Sequence, residues 1–125
     1  MFKKSLPVLL SSLLLAGCAS QLTNLTPTKQ TRNATNLYTV EAAFDTRQAT
    51  VRWQSIHPQI IVGDRPYDMR PTPHMANRWE GLVPVPAGES EVRYHYKFEF
   101  QYNRMGKPGV DTALSQEYTL HILEQ

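Results

Sequence analysis

Cysteine is almost absent from this chain. Its 125 residues hold one, Cys18, which excludes an internal disulfide and a cysteine-built metal cage. Beyond residue 17 no apolar run approaches the ~20 residues that a membrane-spanning helix needs, and no stretch there carries a convincing helical period. Charge of one sign is not in excess either: 13 basic residues stand against 11 acidic ones. The basic residues are scattered among the acids rather than gathered in a stripe, which sets nucleic-acid binding aside. Ser55, Ser90 and Ser115 have no nucleophile-elbow motif around them. A hydrolase needs a nucleophile, a base and an orienting acid in one constellation, and none is visible, so no enzyme is expected.

What is present begins at the N-terminus. Lys3 and Lys4 precede a mostly apolar run from Leu6 to Leu15, followed by the small residues Ala16 and Gly17. This is the layout of a secretory signal peptide over residues 1–17. The segment Leu15-Ala16-Gly17-Cys18 resembles the lipobox of bacterial lipoproteins. The resemblance implies that the Cys18 sulfur receives a diacylglycerol, that cleavage occurs just before it, and that the new amino group is acylated. Ala19 stands where an aspartate would favour retention at the inner membrane, so the resemblance implies the outer membrane, with the domain periplasmic or surface-exposed. Two or three acyl chains hold a protein to a bilayer effectively permanently, where one holds it only weakly. Cleavage removes Lys3 and Lys4 and no acid, leaving 11 basic against 11 acidic residues and, with Cys18 lipidated, no free thiol. The remainder suffices for one domain with one core.

Residues 18–35 are polar and rich in threonine and asparagine. They are expected to form the lipidated N-terminus and either a tether or, through Leu22 and Leu25 ahead of Pro27, a first strand. The sequons at Asn24 and Asn33 carry no meaning in a bacterial lipoprotein.

From residue 36 to 125 the pattern has period two. Tyr38, Val40, Ala42 and Phe44 share one parity, as do Val51, Trp53 and Ser55. "QIIVGDRPYDM" reads as a hairpin turning at Gly63-Asp64, and Trp79, Val83 and Val85 mark a further strand. The strongest segment is "SEVRYHYKFEFQYN". There Val92, Tyr94, Tyr96, Phe98, Phe100 and Tyr102 alternate with polar residues, as in a half-buried antiparallel strand. A last strand places Tyr118, Leu120 and Ile122 inward. The expected core therefore contains Tyr38, Val40, Phe44, Trp53, Tyr94, Tyr96, Phe98, Phe100, Tyr118, Leu120 and Ile122.

About seven short strands, with frequent turns and eight of the chain's nine prolines among them, predict an all-β antiparallel sandwich, immunoglobulin-like in its strand number. "VGDRPYDM" followed by "RWEGLVPVPAGESEVRYHYKFEF" resembles the early-set, immunoglobulin-like modules that accompany many secreted carbohydrate enzymes. That resemblance implies architecture, and a fold alone does not confer function.

Contact residues are expected between Gly63 and Arg78, read as a loop stiffened by Pro66, Pro71 and Pro73. Tyr67, Asp68, His74, Asn77 and Trp79 are the candidates for a ligand or partner surface. Trp79 has two readings, an exposed plane for a sugar or a cap on the edge of the sandwich. Asp64, Asp68 and Glu80 fall near the same segment, but turn formation and solubility explain them better than carboxylate-pair chemistry. His95 and His121 lie on the polar parities of two strands and would adjoin if those strands paired in the right register. Met69, His74 and Met75 are the types that bind copper, without a recognised ligand motif. No metal and no cofactor is therefore expected. Two functions follow: a non-catalytic, membrane-anchored assembly or accessory subunit that binds another envelope protein, or a carbohydrate-binding module.

Overall fold

The computed structural model describes residues 20–125. The expected signal peptide and the expected lipidation at Cys18 lie outside the described residues. Ten strands follow one another: β1 (Ser20–Asn24), β2 (Lys29–Thr31), β3 (Leu37–Thr46), β4 (Val51–Val62), β5 (Arg65–Asp68), β6 (Arg70–Pro71), β7 (Arg78–Pro84), β8 (Glu91–Tyr102), β9 (Gly109–Leu114) and β10 (Tyr118–Leu123). No helix occurs among the described residues. One sheet has the order β1-β3-β7-β6. The other has the order β2-β10-β8-β4-β5, with β9 also on β8. All pairings are antiparallel except that of β2 with β10.

The count is ten rather than seven because three runs of chain divide. The first pairs with β3 as β1, then changes sheets and pairs with β10 as β2. Residues 20–24 are thus a paired strand rather than a tether. Residues 65–71 start beside β4 as β5 and end beside β7 as β6. The last run lies along one edge of β8 throughout, but Leu114 opposes Lys97 while Tyr118 opposes Tyr94. One extra residue interrupts that ladder. There Ser115 donates its amide to the Tyr96 carbonyl at 3.0 Å and accepts from the Tyr96 amide at 2.8 Å through Oγ.

The core lies between the sheets. Phe44 of β3 meets Phe98 and Phe100 of β8, each with ring centroids 5.4 Å apart. Of the expected core, Tyr38, Val40, Phe44, Tyr94, Tyr96, Phe98, Phe100, Leu120 and Ile122 are buried, and Tyr118 packs against them half-buried. Ile60, Val83 and Val85 join them with no exposed surface. Trp53 does not: it is 46% exposed. The reason is a bulge. Arg52 opposes Gln101 but His57 opposes Glu99, so β4 carries three residues more than β8 over this stretch. An odd insertion reverses the inward parity. Val51 is buried before the bulge, and Pro58 and Ile60 after it. The Ser55 hydroxyl fills the opened ladder, accepting from the Gln101 amide at 2.8 Å and donating to the Arg52 carbonyl at 2.6 Å.

β1 is held through side chains as well as its ladder. Leu22 opposes Phe44 and packs on the core. The buried Tyr96 hydroxyl donates to Asn24 Oδ1 at 2.6 Å and sits 3.2 Å from Thr26 Oγ1. Thr26 Oγ1 in turn accepts from the Glu41 amide at 2.8 Å. Leu25 is 37% exposed, so only one of the two leucines is anchored.

Candidate functional site

The segment expected as a loop from Gly63 to Arg78 contains two short strands, β5 and β6. Chain leaves the turn at Gly63-Asp64 as β5, with Asp68 opposite Gln59 of β4. The Met69 amide still donates to the Pro58 carbonyl, at 3.1 Å, but Arg70 already faces Glu80 of β7. Only residues 72–77 form a loop. The crossing chain lies close against β7 because position 81 is glycine. A Cβ there would come within 2.7 Å of Ile60 Cδ1 and 3.1 Å of the Asp68 carbonyl oxygen.

A cleft of about 420 Å³ opens beside this crossing. Tyr67, Asp68 and Arg70 line it from the crossing chain, Glu80 and Leu82 from β7, and Thr39 from β3. It holds one ion pair. Arg70 reaches Glu80 at 3.1 Å, and His57 Nε2 lies 3.4 Å from Asp68 Oδ1 just outside. Leu82 is 51% exposed. The β7 backbone beneath it is also open. Thr72 donates its amide to the Arg78 carbonyl at 2.9 Å and Arg70 opposes Glu80. Backbone groups along an antiparallel strand point to the same side at every second residue. The next such position, Leu82, faces Thr39 of β3 on one side but has no strand opposite it on the β6 side. The cleft thus offers an unpaired strand edge, an apolar side chain and an ion pair, which suit backbone hydrogen bonding to an extended segment.

Comparison with protein-family models, curated proteins and solved structures returns no match.

Among the residues anticipated for contact, Tyr67 and Asp68 meet in the cleft. His74 and Asn77 lie exposed in the loop at residues 72–77, with φ of 61° and 58°. Both sit at turns of the chain, and the Asn77 carbonyl accepts the Phe44 amide at 3.0 Å. Trp79 presents no sugar-binding plane, being only 8% exposed. It shares the inward parity of Val83, meets Phe98 edge-on at 5.4 Å and is covered by Trp53, stacked at 6.5 Å with 5° between the planes. Of the two readings of Trp79 the covered one holds, while Trp53, expected in the core, is the more exposed tryptophan.

The histidines do not converge. β8 and β10 do pair, but His121 opposes Glu91, and His95 opposes Ile61 of β4. Four register positions separate them, about 13 Å along the strand. Met69 is buried while His74 and Met75 are exposed. Among the described residues, no three His, Cys, Asp or Glu side chains are placed to share a metal ion. Ser55 and Ser115 hold the two ladder irregularities.

Leu82 and Gly81 escaped the sequence reading. The signal for Leu82 was an apolar side chain at the outward parity of a strand whose inward set is Trp79, Val83 and Val85.

Proposed function

We propose that the chain is a non-catalytic envelope lipoprotein, anchored to the outer membrane through Cys18, that presents an immunoglobulin-like sandwich to another envelope protein as an assembly or accessory subunit. The anchor rests on the lipobox resemblance. The immunoglobulin-like reading is supported by strand order. When β1–β2 and β9–β10 are each counted as one run, β1-β3-β7-β6 follows the order A-B-E-D, and β4-β8-β10 the order C-F-G. Phe44 and Phe98 fill the space between strands B and F where antibody domains place a disulfide.

The observation that carries the interaction reading is the open edge of β7 at Leu82 above the cleft. An unpaired edge beside an exposed apolar residue is a template for an added strand unless a partner or a charge covers it. The carbohydrate reading loses the exposed Trp79. It keeps only the outward half of Trp53, and a saturable sugar-induced change in Trp53 emission would be its sign.

The test is site-specific photocrosslinking in the native membrane, with the photoreactive residue replacing Leu82. One partner protein recovered in stoichiometric yield is expected, with none from the same residue placed at Val110 on β9. Equal, diffuse crosslinking from both positions refutes the use of this edge.

A further inference from the structure

We infer that the end of the sandwich next to Cys18 is a docking face for anionic phospholipid headgroups, with Met105 at its tip. The inference rests on the lipoprotein reading and adds an orientation to it.

Ser20 opposes Thr46, so β1 enters the domain at the end where β3 finishes. Val51 opposes Tyr102 and Ala43 opposes Arg78. The β3–β4, β6–β7 and β8–β9 loops therefore share that end. One residue, Ala19, separates Ser20 from Cys18. Consecutive Cα atoms lie about 3.8 Å apart, so an acylated Cys18 stays within about 8 Å of Ser20. A tether this short holds the same end of the domain against the bilayer surface.

The chemistry of that end suits the contact. Arg47, Arg104 and Lys107 are exposed in its loops, and Arg52 donates to Asn103 at 2.7 Å beside them. Against these cations stand Asp45 on β3 and Asp111 on β9. The opposite end leans the other way, with Asp64, Glu89, Glu91 and Glu124 against Lys29, Arg32 and Arg65. With 11 acids and 11 bases after residue 17, the domain is neutral as a whole but polarised along its length. Met105 is 98% exposed, between Arg104 and Lys107, on a loop turned by Gly106 at φ 91°. Met75 (44%) and Trp53 (46%) add apolar surface at the same end. Cations around a protruding apolar side chain are the arrangement that binds an anionic lipid interface.

The experiment uses the full chain, processed in the cell and reconstituted in vesicles of phosphatidylcholine with or without phosphatidylglycerol. With Cys18 acylated, Met105→Cys supplies one free thiol for an environment-sensitive fluorophore, and Ala87→Cys does the same at the opposite end. In vesicles containing phosphatidylglycerol, the label at 105 is expected to shift to the blue and to lose several-fold in its quenching by acrylamide. The label at 87 stays as accessible as in detergent. High salt or omission of phosphatidylglycerol weakens the protection at 105, because the cations are exposed and screened. Mass spectrometry and vesicle flotation are read on the same samples. Equal quenching at 105 and 87, in a chain that is acylated and floats with the vesicles, overturns the inference and leaves the anchor standing. An unmodified Cys18 overturns both.

Discussion

Tyr96 shows how one hydroxyl can tie a terminal segment to a core. Its ring has no exposed surface, and its oxygen meets Asn24 and Thr26, which belong to the run that passes from one sheet to the other. Removing the hydroxyl in Tyr96→Phe takes away the shortest donor to Asn24 Oδ1 and leaves the Thr26 amide at 3.3 Å and the Tyr94 hydroxyl at 3.4 Å. A loss of about 1–2 kcal/mol is expected in urea titration, in the range for a buried hydrogen bond. The pH dependence has a definite sign. Burial is the main reason that this phenol is held protonated well above its ordinary pKa near 10. Below pH 10 both folded and unfolded chains keep the proton, and the contribution is complete. Above it the unfolded chain releases the proton first, so stability falls as pH rises. Tyr96→Phe is expected to lose less stability than the parent chain between about pH 10 and 11. Equal alkaline loss in the two proteins contradicts the assignment.

At the scale of the element, the sheet-switching run β5–β6 depends on its neighbour. A strand that leaves one sheet for another must pass close to both, and Gly81 provides the room on β7. Gly81→Ala places a methyl group against Ile60 Cδ1 and the Asp68 carbonyl. Overpacking of this kind costs about 1–3 kcal/mol. The urea midpoint should fall, and chemical-shift changes should concentrate in residues 66–70; an unchanged midpoint means that the crossing has slack. Strand existence and parity were legible in the sequence here, and so was the Gly63-Asp64 turn. The switch itself was not. Asp68 and Arg70 bond to different sheets with one residue between them, and no local pattern of polarity distinguishes two ladders from one.

Over the whole molecule, stability rests on the aromatic seam between the sheets. Phe98 touches both Phe44 and Trp79 across it, with 5.4 Å between centroids in each case. Phe98→Ala should cost about 3–5 kcal/mol, a large share of the ~5–15 kcal/mol typical of a domain. Thermal or urea unfolding measures it, and a loss below about 1 kcal/mol would mean that the seam collapses around the cavity.

The residue pattern alone carried the all-β class, the inward face of β8, and most of the core. Each of these depends on alternation along a single strand, which a buried face imposes directly on residue types. It also contained the lipobox resemblance and the near-neutral charge. Tertiary structure decided what depends on two strands at once. Val51, Trp53 and Ser55 read as one inward face until pairing with β8 shows three extra residues and turns Trp53 outward. Trp79 and Trp53 are equally aromatic in the chain, and only the stack between the sheets determines which is covered. The cleft at Leu82 and the basic end around Met105 likewise join residues from separated segments. Their geometry follows from strand order and register, which are settled by the packing of the whole core.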